Sequence, residues 1–423
     1  MGIHRFKPPM SGRMGIFWTL APIKGAAVVE FGCMGHNLYG GSALRRAGVY
    51  EGYGAPLYAT YVDETDLAMG DTSRLEGVIR SVIAERAPEA IFLQPSAIPE
   101  VIGTDLFALA ALMGEAFPSA RILPIGRASF ALSGHRGVAD ALYSLTEAFA
   151  VEKEAEKLPI EERREAPKGP AYNLIGSCPD LFRFQEDAAE IARLMRGAFG
   201  MEAACELTSG ASVASMRAMG RASVNLVIRR EGLPAARFLK ERFGTPMVEG
   251  RPYGIEGTAA WLRAAGEALG REPGAAFVGA ERERTLRQVD LAYDYLEGSA
   301  RDFPEEATFR AGGHADVVSG IARFATEEFP LIRGECWCDD PDMASPDLPY
   351  YPESLWIPAV ERAKKGYLMF TGEALLWAKK NLRLTISNPD AAWRIHPYGA
   401  PLVGFRGAAN LVDLWMGEYA LTH

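Results

Sequence analysis

The sequence predicts a multidomain α/β protein built on parallel sheets. Short β-rich runs alternate with helical patterns along the chain, the signature of consecutive βαβ units. The 423 residues exceed one ordinary core and suit two to four domains of ~100–200 residues each. One stretch breaks the composition: "VEKEAEKLPIEERREAPKGP" (151–170) is charged, proline-bearing and almost without apolar period. It reads as a solvated helix and linker between blocks.

The elements follow in order. "AAVVEF" (26–31), "EAIFLQ" (89–94) and "ARILPI" (120–125) are strand candidates of the first block. Between them, "TSRLEGVIRSVIAERAP" (72–88) sets Leu75, Val78, Ile79, Val82 and Ile83 at helical spacing, with Thr72 or Ser73 as cap and Pro88 as stop. A second series opens at "AYNLIGS" (171–177) and runs through a helix around 184–199, the strand "VNLVI" (224–228) and helices at 233–243 and 255–269. A third opens near "ATFRAGG" (307–313), with "LIRGECW", "GYLMFTGE" (366–373) and "LRLTIS" (382–387) as later strands and a closing helix at 406–418. The expected domains are therefore 1–165, 166–300 and 301–423. Loops at the carboxyl ends of such strands are the usual ligand sites.

Composition narrows the function classes. A net charge of -9 and a pI near 5.4 argue against a nucleic-acid partner, which needs a basic face. No uncharged apolar run reaches the ~18 residues of a spanning helix. Lys24 and Pro22 interrupt the N-terminal apolar patch, no cleavage site follows, and "MGIHRF" lacks the Ser or Thr of a myristoylation signal. A cytoplasmic protein without membrane contact is expected. Five cysteines, Cys33, Cys178, Cys205, Cys336 and Cys338, are too sparse for a disulfide framework and suit reduced thiols or metal ligands.

Four features could carry chemistry. In "EFGCMGH" a strand runs into Cys33 between Gly32 and Gly35. A thiolate there would sit at a strand's C-terminal edge, and the glycines would let backbone approach an inorganic cluster closely. The alternative is a small buried cysteine. In "GECWCDDPD" strand alternation sends Cys336 and Cys338 to one face, where they could ligate or oxidise together, or simply pack. "ATFRAGGHADVVSG" (307–320) is either an anion site at a helix N-terminus or a tight strand-to-helix turn. It lacks nucleotide-binding spacing, and no G-x-x-x-x-G-K-[ST] exists in the chain. The histidines, His4, His36, His135, His314, His396 and His423, lack the spacing of zinc hydrolases. No G-x-S-x-G elbow supports Ser-His-Asp chemistry.

The N-terminal block adds a resemblance. "GIFWTLAPIKGAAVVEFGCMGHNLYG" resembles the nitrogenase component 1 segment in which "PIKD" leads to a strand and a "GPVGC" cluster loop. Further matches keep the family's order: 61–106, "YNLIGS", "NLVIRREGLPAARFLKERFGTPMVE" and "RIHPYGAPLVGFRGAANLVDLW". The resemblance implies three Rossmann-like α/β domains with mainly parallel sheets. It also implies paired homologous subunits with an iron–sulfur cluster at their interface, and a separate ATP-dependent iron–sulfur reductase that delivers electrons.

The departures define what this chain would contribute. Where catalytic α-type subunits carry a first cluster cysteine, this chain has the Met10–Gly12 region. Where they carry one before "IGDD" it has Ala97, and at the cofactor cysteine after "NLVH" it has Arg229. A three-cysteine share of a cluster and a nitrogenase-type FeMo cofactor are therefore not expected. A cubane needs four ligands, usually thiolates. The resemblance thus implies a cluster, [4Fe-4S] by family, shared across an interface, with Cys33 as this chain's metal ligand and Gly32, Gly35 and His36 beside it. The partner subunit is a second copy or a cysteine-richer homologue. Arg229 and His396 are candidates to bind an anionic or tetrapyrrole-like substrate, or to supply protons, in a cleft between domains. The expected function is that of a reductase subunit. The alternative is a scaffold for cofactor assembly, with Cys336 and Cys338 among its ligands.

Overall fold

The computed structural model of the chain describes residues 10–32, 54–126, 133–150, 169–363, 367–371, 382–387 and 400–420. Among the described residues, twelve strands form three four-stranded sheets, ordered β2-β1-β3-β4, β6-β5-β7-β8 and β10-β9-β11-β12. The first comprises β1 (Ala26–Phe31), β2 (Leu57–Ala59), β3 (Ala90–Pro95) and β4 (Arg121–Pro124). The second comprises β5 (Ala171–Ser177), β6 (Glu202–Thr208), β7 (Val224–Val227) and β8 (Met247–Glu249). The third comprises β9 (Thr308–Gly313), β10 (Ile332–Cys338), β11 (Tyr367–Thr371) and β12 (Leu382–Ser387). Every strand pairing within these sheets is parallel. β1, β3 and β5 are buried along their whole length, as strands covered by helices on both faces must be. One sheet falls in each of the stretches 1–165, 166–300 and 301–423.

The same strand order in all three sheets has a consequence. The chain leaves the first strand of each sheet to one side and returns on the other. A switch point therefore opens between the carboxyl ends of the first and third strands, where α/β proteins bind ligands. These switch points lie between β1 and β3, β5 and β7, and β9 and β11.

Helix boundaries differ from expectation where local chemistry intervenes. The helix predicted over 72–88 is Ser73–Arg86, since Ala87 already takes a positive φ of 44° and the residue before Pro88 is disfavoured in helix. The closing helix runs over Gly404–Ala420, beyond the predicted 406–418. Two helices outside the expected elements matter most for the site. Gly12–Leu20 packs across Gly134–Phe149 through glycines: a Cβ on Gly15 would lie 2.2 Å from the Gly134 oxygen, and one on Gly137 would lie 2.0 Å from the Gly12 oxygen. That backbone-to-backbone approach fixes the start of the second helix.

The three sheets share a continuous core that includes Phe92, Phe149, Tyr172, Phe309 and Trp415, and a smaller core with Val29, Ile79 and Met113 fills the far face of the first sheet. The closing helix joins the second and third sheets. The Asp187 carboxylate, paired with Arg251, accepts hydrogen bonds from the N–H groups of Leu402 (2.7 Å) and Val403 (3.3 Å). Trp415 stacks on Phe324 at 5.6 Å. Among the described residues no helix is long and apolar enough to cross a membrane.

Candidate functional site

Two features lie at the carboxyl edges of these sheets. The first is the end of β1. Gly32 follows it directly, and its N–H donates to Thr60 Oγ1 at 2.9 Å. A Cβ on Gly32 would fall 1.8 Å from Ser96 Oγ, so only glycine lets this turn pass the end of β3. Ser96 Oγ is buried without a hydrogen-bond partner among the described residues. Cys33, Gly35 and His36 lie outside the described residues, as does His396. Beneath the turn, Glu30 is buried against Arg13 (2.6 Å), and Gln94 Nε2 donates to the Arg13 carbonyl at 2.6 Å. Burial pushes Glu30 up to about 7 against the pull of Arg13. Around this edge the surface is apolar: Tyr61, Ile98, Val101, Ile102 and Phe107 are exposed.

The second feature is a buried charge cluster where the three sheets meet. β5 leads to Asp180, β7 to Arg229 and Glu231, β9 runs into His314 and β10 into Asp339, while His135 is the second residue of the Gly134–Phe149 helix. Arg229 donates to both Asp180 oxygens (2.8 and 2.9 Å) and to Glu231 Oε1 (2.6 Å). The same Glu231 oxygen faces His135 Nδ1 at 2.9 Å and His314 Nε2 at 2.8 Å. Glu231 Oε2 is buried without a partner among the described residues. The other side of His135, Nε2, faces Asp339 Oδ1 at 3.2 Å. His314 Nδ1 accepts from the Asp316 N–H at 3.3 Å, which assigns its proton to Nε2. Around this centre, Arg230 closes on Asp316 and Arg136 on Asp342.

The electrostatics follow from burial and pairing. Burial opposes charge on Arg229, but Asp180 and Glu231 outweigh it and hold the guanidinium well above its usual range. Burial alone would raise Glu231, yet Arg229 and the two histidines hold it well below the usual carboxylate range. Burial also opposes a proton on His135, and Asp339 and Glu231 overcome it, raising the imidazole well above the ordinary histidine value. Arg229, expected to meet substrate, therefore grips two carboxylates of its own chain.

The remaining thiols are quiet. Burial pushes Cys178 and Cys205 up to about 12 and raises Cys336 and Cys338. Cys336 and Cys338 pair with Ala311 and Gly313 along β9, and the Cys338 thiol donates to the Asp340 carbonyl at 3.3 Å. The "GGHADVV" turn is capped by His314, and the Asp316 carboxylate in its first turn takes the Arg230 N–H at 2.8 Å. It is a strand-to-helix turn furnished by the chain's own side chains.

Glu231, and the pairing of His135 with Glu231 and Asp339, escape a reading of the sequence because these contacts span 96 and 204 positions. His314 stands in view within the glycine turn, and the switch-point rule applied to β9 would mark it.

Three parallel sheets of one strand order thus open on a shared junction, and a cysteine is the next residue after Gly32 at the end of the first strand. The profile of the nitrogenase component 1 type oxidoreductases matches residues 11–327, and the chain belongs to that family. It is similar to a light-independent protochlorophyllide reductase subunit of Rhodospirillum rubrum, 29% identical over 271 residues, which are 62% of this chain and 46% of that one. The corresponding subunit of Heliobacterium modesticaldum is 31% identical over 216 residues, 51% of this chain and 39% of the relative. The match thus spans less than half the length of these curated relatives. In fold, the chain is similar to nitrogenase Cp1 at pH 6.5, with a TM-score of 0.77 at 16% identity over 99% of this chain and 94% of the other.

Proposed function

We propose that the chain is one subunit of a nitrogenase-like iron–sulfur reductase, receiving electrons from an ATP-dependent iron–sulfur reductase and reducing a substrate bound between its domains. The observation that carries this reading is the end of β1. Gly32 can only be glycine there, the Ser96 oxygen, without a partner among the described residues, lies against it, and Cys33 is the next residue. The four described cysteines are buried thiols with raised pKa values, which makes them poor thiolate ligands. Cys33 would hold an iron–sulfur cluster, [4Fe-4S] by family, with Gly35 and His36 beside it. When bound, that group supplies one-electron chemistry. One cysteine falls short of a cubane's four ligands. The exposed apolar side chains Ile98, Val101, Ile102 and Phe107 suit a covering homologous subunit that brings the rest.

The substrate class suggested by the relatives' name is a tetrapyrrole. His396 is proposed to contact it directly, and Arg229 to act as a positioning residue through Asp180 and Glu231. A substrate in the cleft would be bound and shielded by the junction of the three sheets.

Anaerobic purification with iron and sulfide analysis of wild type and Cys33→Ala tests the cluster. Iron and sulfide in wild type, lost in the variant, are expected. A colourless, iron-free wild type after anaerobic co-expression with neighbouring subunits overturns the reading. ATP-dependent turnover with a partner reductase is expected, whereas cluster content without turnover assigns the scaffold role. Native mass measurement distinguishes a second copy from a cysteine-richer homologue.

A further inference from the structure

We propose that His135 Nδ1, His314 Nε2 and the Glu231 carboxylate form a binding site for one divalent first-row cation of the zinc(II) or cobalt(II) kind, separate from any cluster at Cys33. Three observations converge on it. The three donor atoms lie within 4.8 Å of one another, and they come from three different parts of the fold. Zinc sits ~2.0–2.2 Å from such ligands, which places tetrahedral donors roughly 3.3 Å apart. Contacts of 2.8 and 2.9 Å require the carboxylate to retreat by only about 0.5 Å to admit the ion.

The second observation is the outer support. A metal-bound histidine ordinarily donates its other N–H to a carboxylate, which fixes ring and tautomer. His135 does so here, with Nε2 facing Asp339 Oδ1 at 3.2 Å. His314 must move its proton to Nδ1, giving up the long 3.3 Å contact from the Asp316 N–H. That is a weak bond to lose. The third observation is the orphaned Glu231 Oε2. It is a buried acceptor with no donor among the described residues, while its sister oxygen accepts from Arg229, His135 and His314 together. An unpaired carboxylate oxygen in such a place is costly, and a cation held by both oxygens of the carboxylate would satisfy it.

Ion pairs close the surroundings of the site. Among the described residues, Asp180 and Glu231 meet the guanidinium of Arg229, Asp339 meets His135, and Arg230 and Arg136 are closed by Asp316 and Asp342. The ligand chemistry, two imidazoles and a carboxylate, suits zinc, cobalt or iron(II) over magnesium or calcium. The His135 side chain is 14% exposed, which leaves an approach for the ion.

The test titrates the full-length chain, purified without metal, with cobalt(II) alone. The expected result is one cobalt per chain, with visible ligand-field absorption, displaced by zinc(II). His135→Ala and His314→Ala are expected to weaken binding at least 100-fold, while Asp339→Asn, which keeps all three ligands, weakens it about 10–100-fold. The Asp339→Asn result keeps the proposal testable if an alanine variant does not fold. Cys33→Ala is expected to bind cobalt like wild type, so the fate of the cluster reading does not touch this one. No cobalt or zinc binding by wild type overturns the proposal. So does undiminished binding by folded His135→Ala or His314→Ala, and so do sulfur-to-cobalt charge-transfer bands.

Discussion

At the scale of single residues, Arg229 and Glu30 show how burial turns charge into constraint. Arg229 is 1% exposed and, among the described residues, is the guanidinium that meets both Asp180 and Glu231. Removing one partner of a buried ion pair typically costs about 3–5 kcal/mol, because the other charge is stranded. Arg229→Met is expected to lose stability on that scale in urea unfolding, and Arg229→Lys somewhat less, since an ammonium cannot make the forked contact. Glu30 works in the opposite sense. Its folded pKa of about 7 lies above the ordinary 4.5, so the folded chain holds a proton that the unfolded chain releases. The associated stability is complete below pH 4.5 and is lost as pH rises to about 7, by on the order of 3 kcal/mol. Glu30→Gln should flatten stability against pH across that window. An unchanged slope in urea melts at pH 5, 6 and 7 would count against this assignment.

At the scale of elements, the decisive contact is the glycine crossing of Gly12–Leu20 over Gly134–Phe149. Gly137→Ala forces a Cβ to within 2.0 Å of the Gly12 oxygen, so the helices must part. Overpacking of this kind costs typically 1–3 kcal/mol. The variant is expected to melt earlier and, because His135 heads the displaced helix, to bind cobalt(II) more weakly; calorimetry and titration check the two effects together. This crossing also shows what a sequence conceals. Strands such as Ala171–Ser177 and helices such as Phe184–Phe199 are legible to the residue, because apolar period and end signals are local. The end of β1 is legible for the same reason, through the apolar run that stops before Gly32. The charge cluster is not, since Glu231 reads as an ordinary polar residue until β7 and β9 bring it under His314. Arg229 is recognised by position, yet its partner Asp180 lies 49 residues away and carries no local signal.

At the scale of the molecule, ion pairs tie the three sheets at their carboxyl edges: His135 to Glu231 and Asp339, Arg136 to Asp342, and Arg230 to Asp316. The wild-type chain is expected to unfold in one calorimetric transition. Glu231→Ala removes the carboxylate shared by both histidines and Arg229, and is expected to separate the transition into at least two. A single sharp transition in that variant would show that the shared core alone couples the sheets. The closing helix bears on how the chain can be divided. Gly404–Ala420 lies against Ala275–Asp302 and Phe184–Phe199, while its Trp415 is seated among Phe309, Phe324 and Phe329. A fragment cut near residue 300 would therefore lose the strap that covers its own helices and leave them bare to water. The third sheet is spliced into the path of the second like a long insertion. A viable chimera would have to exchange that insertion alone and keep the final helix with the host.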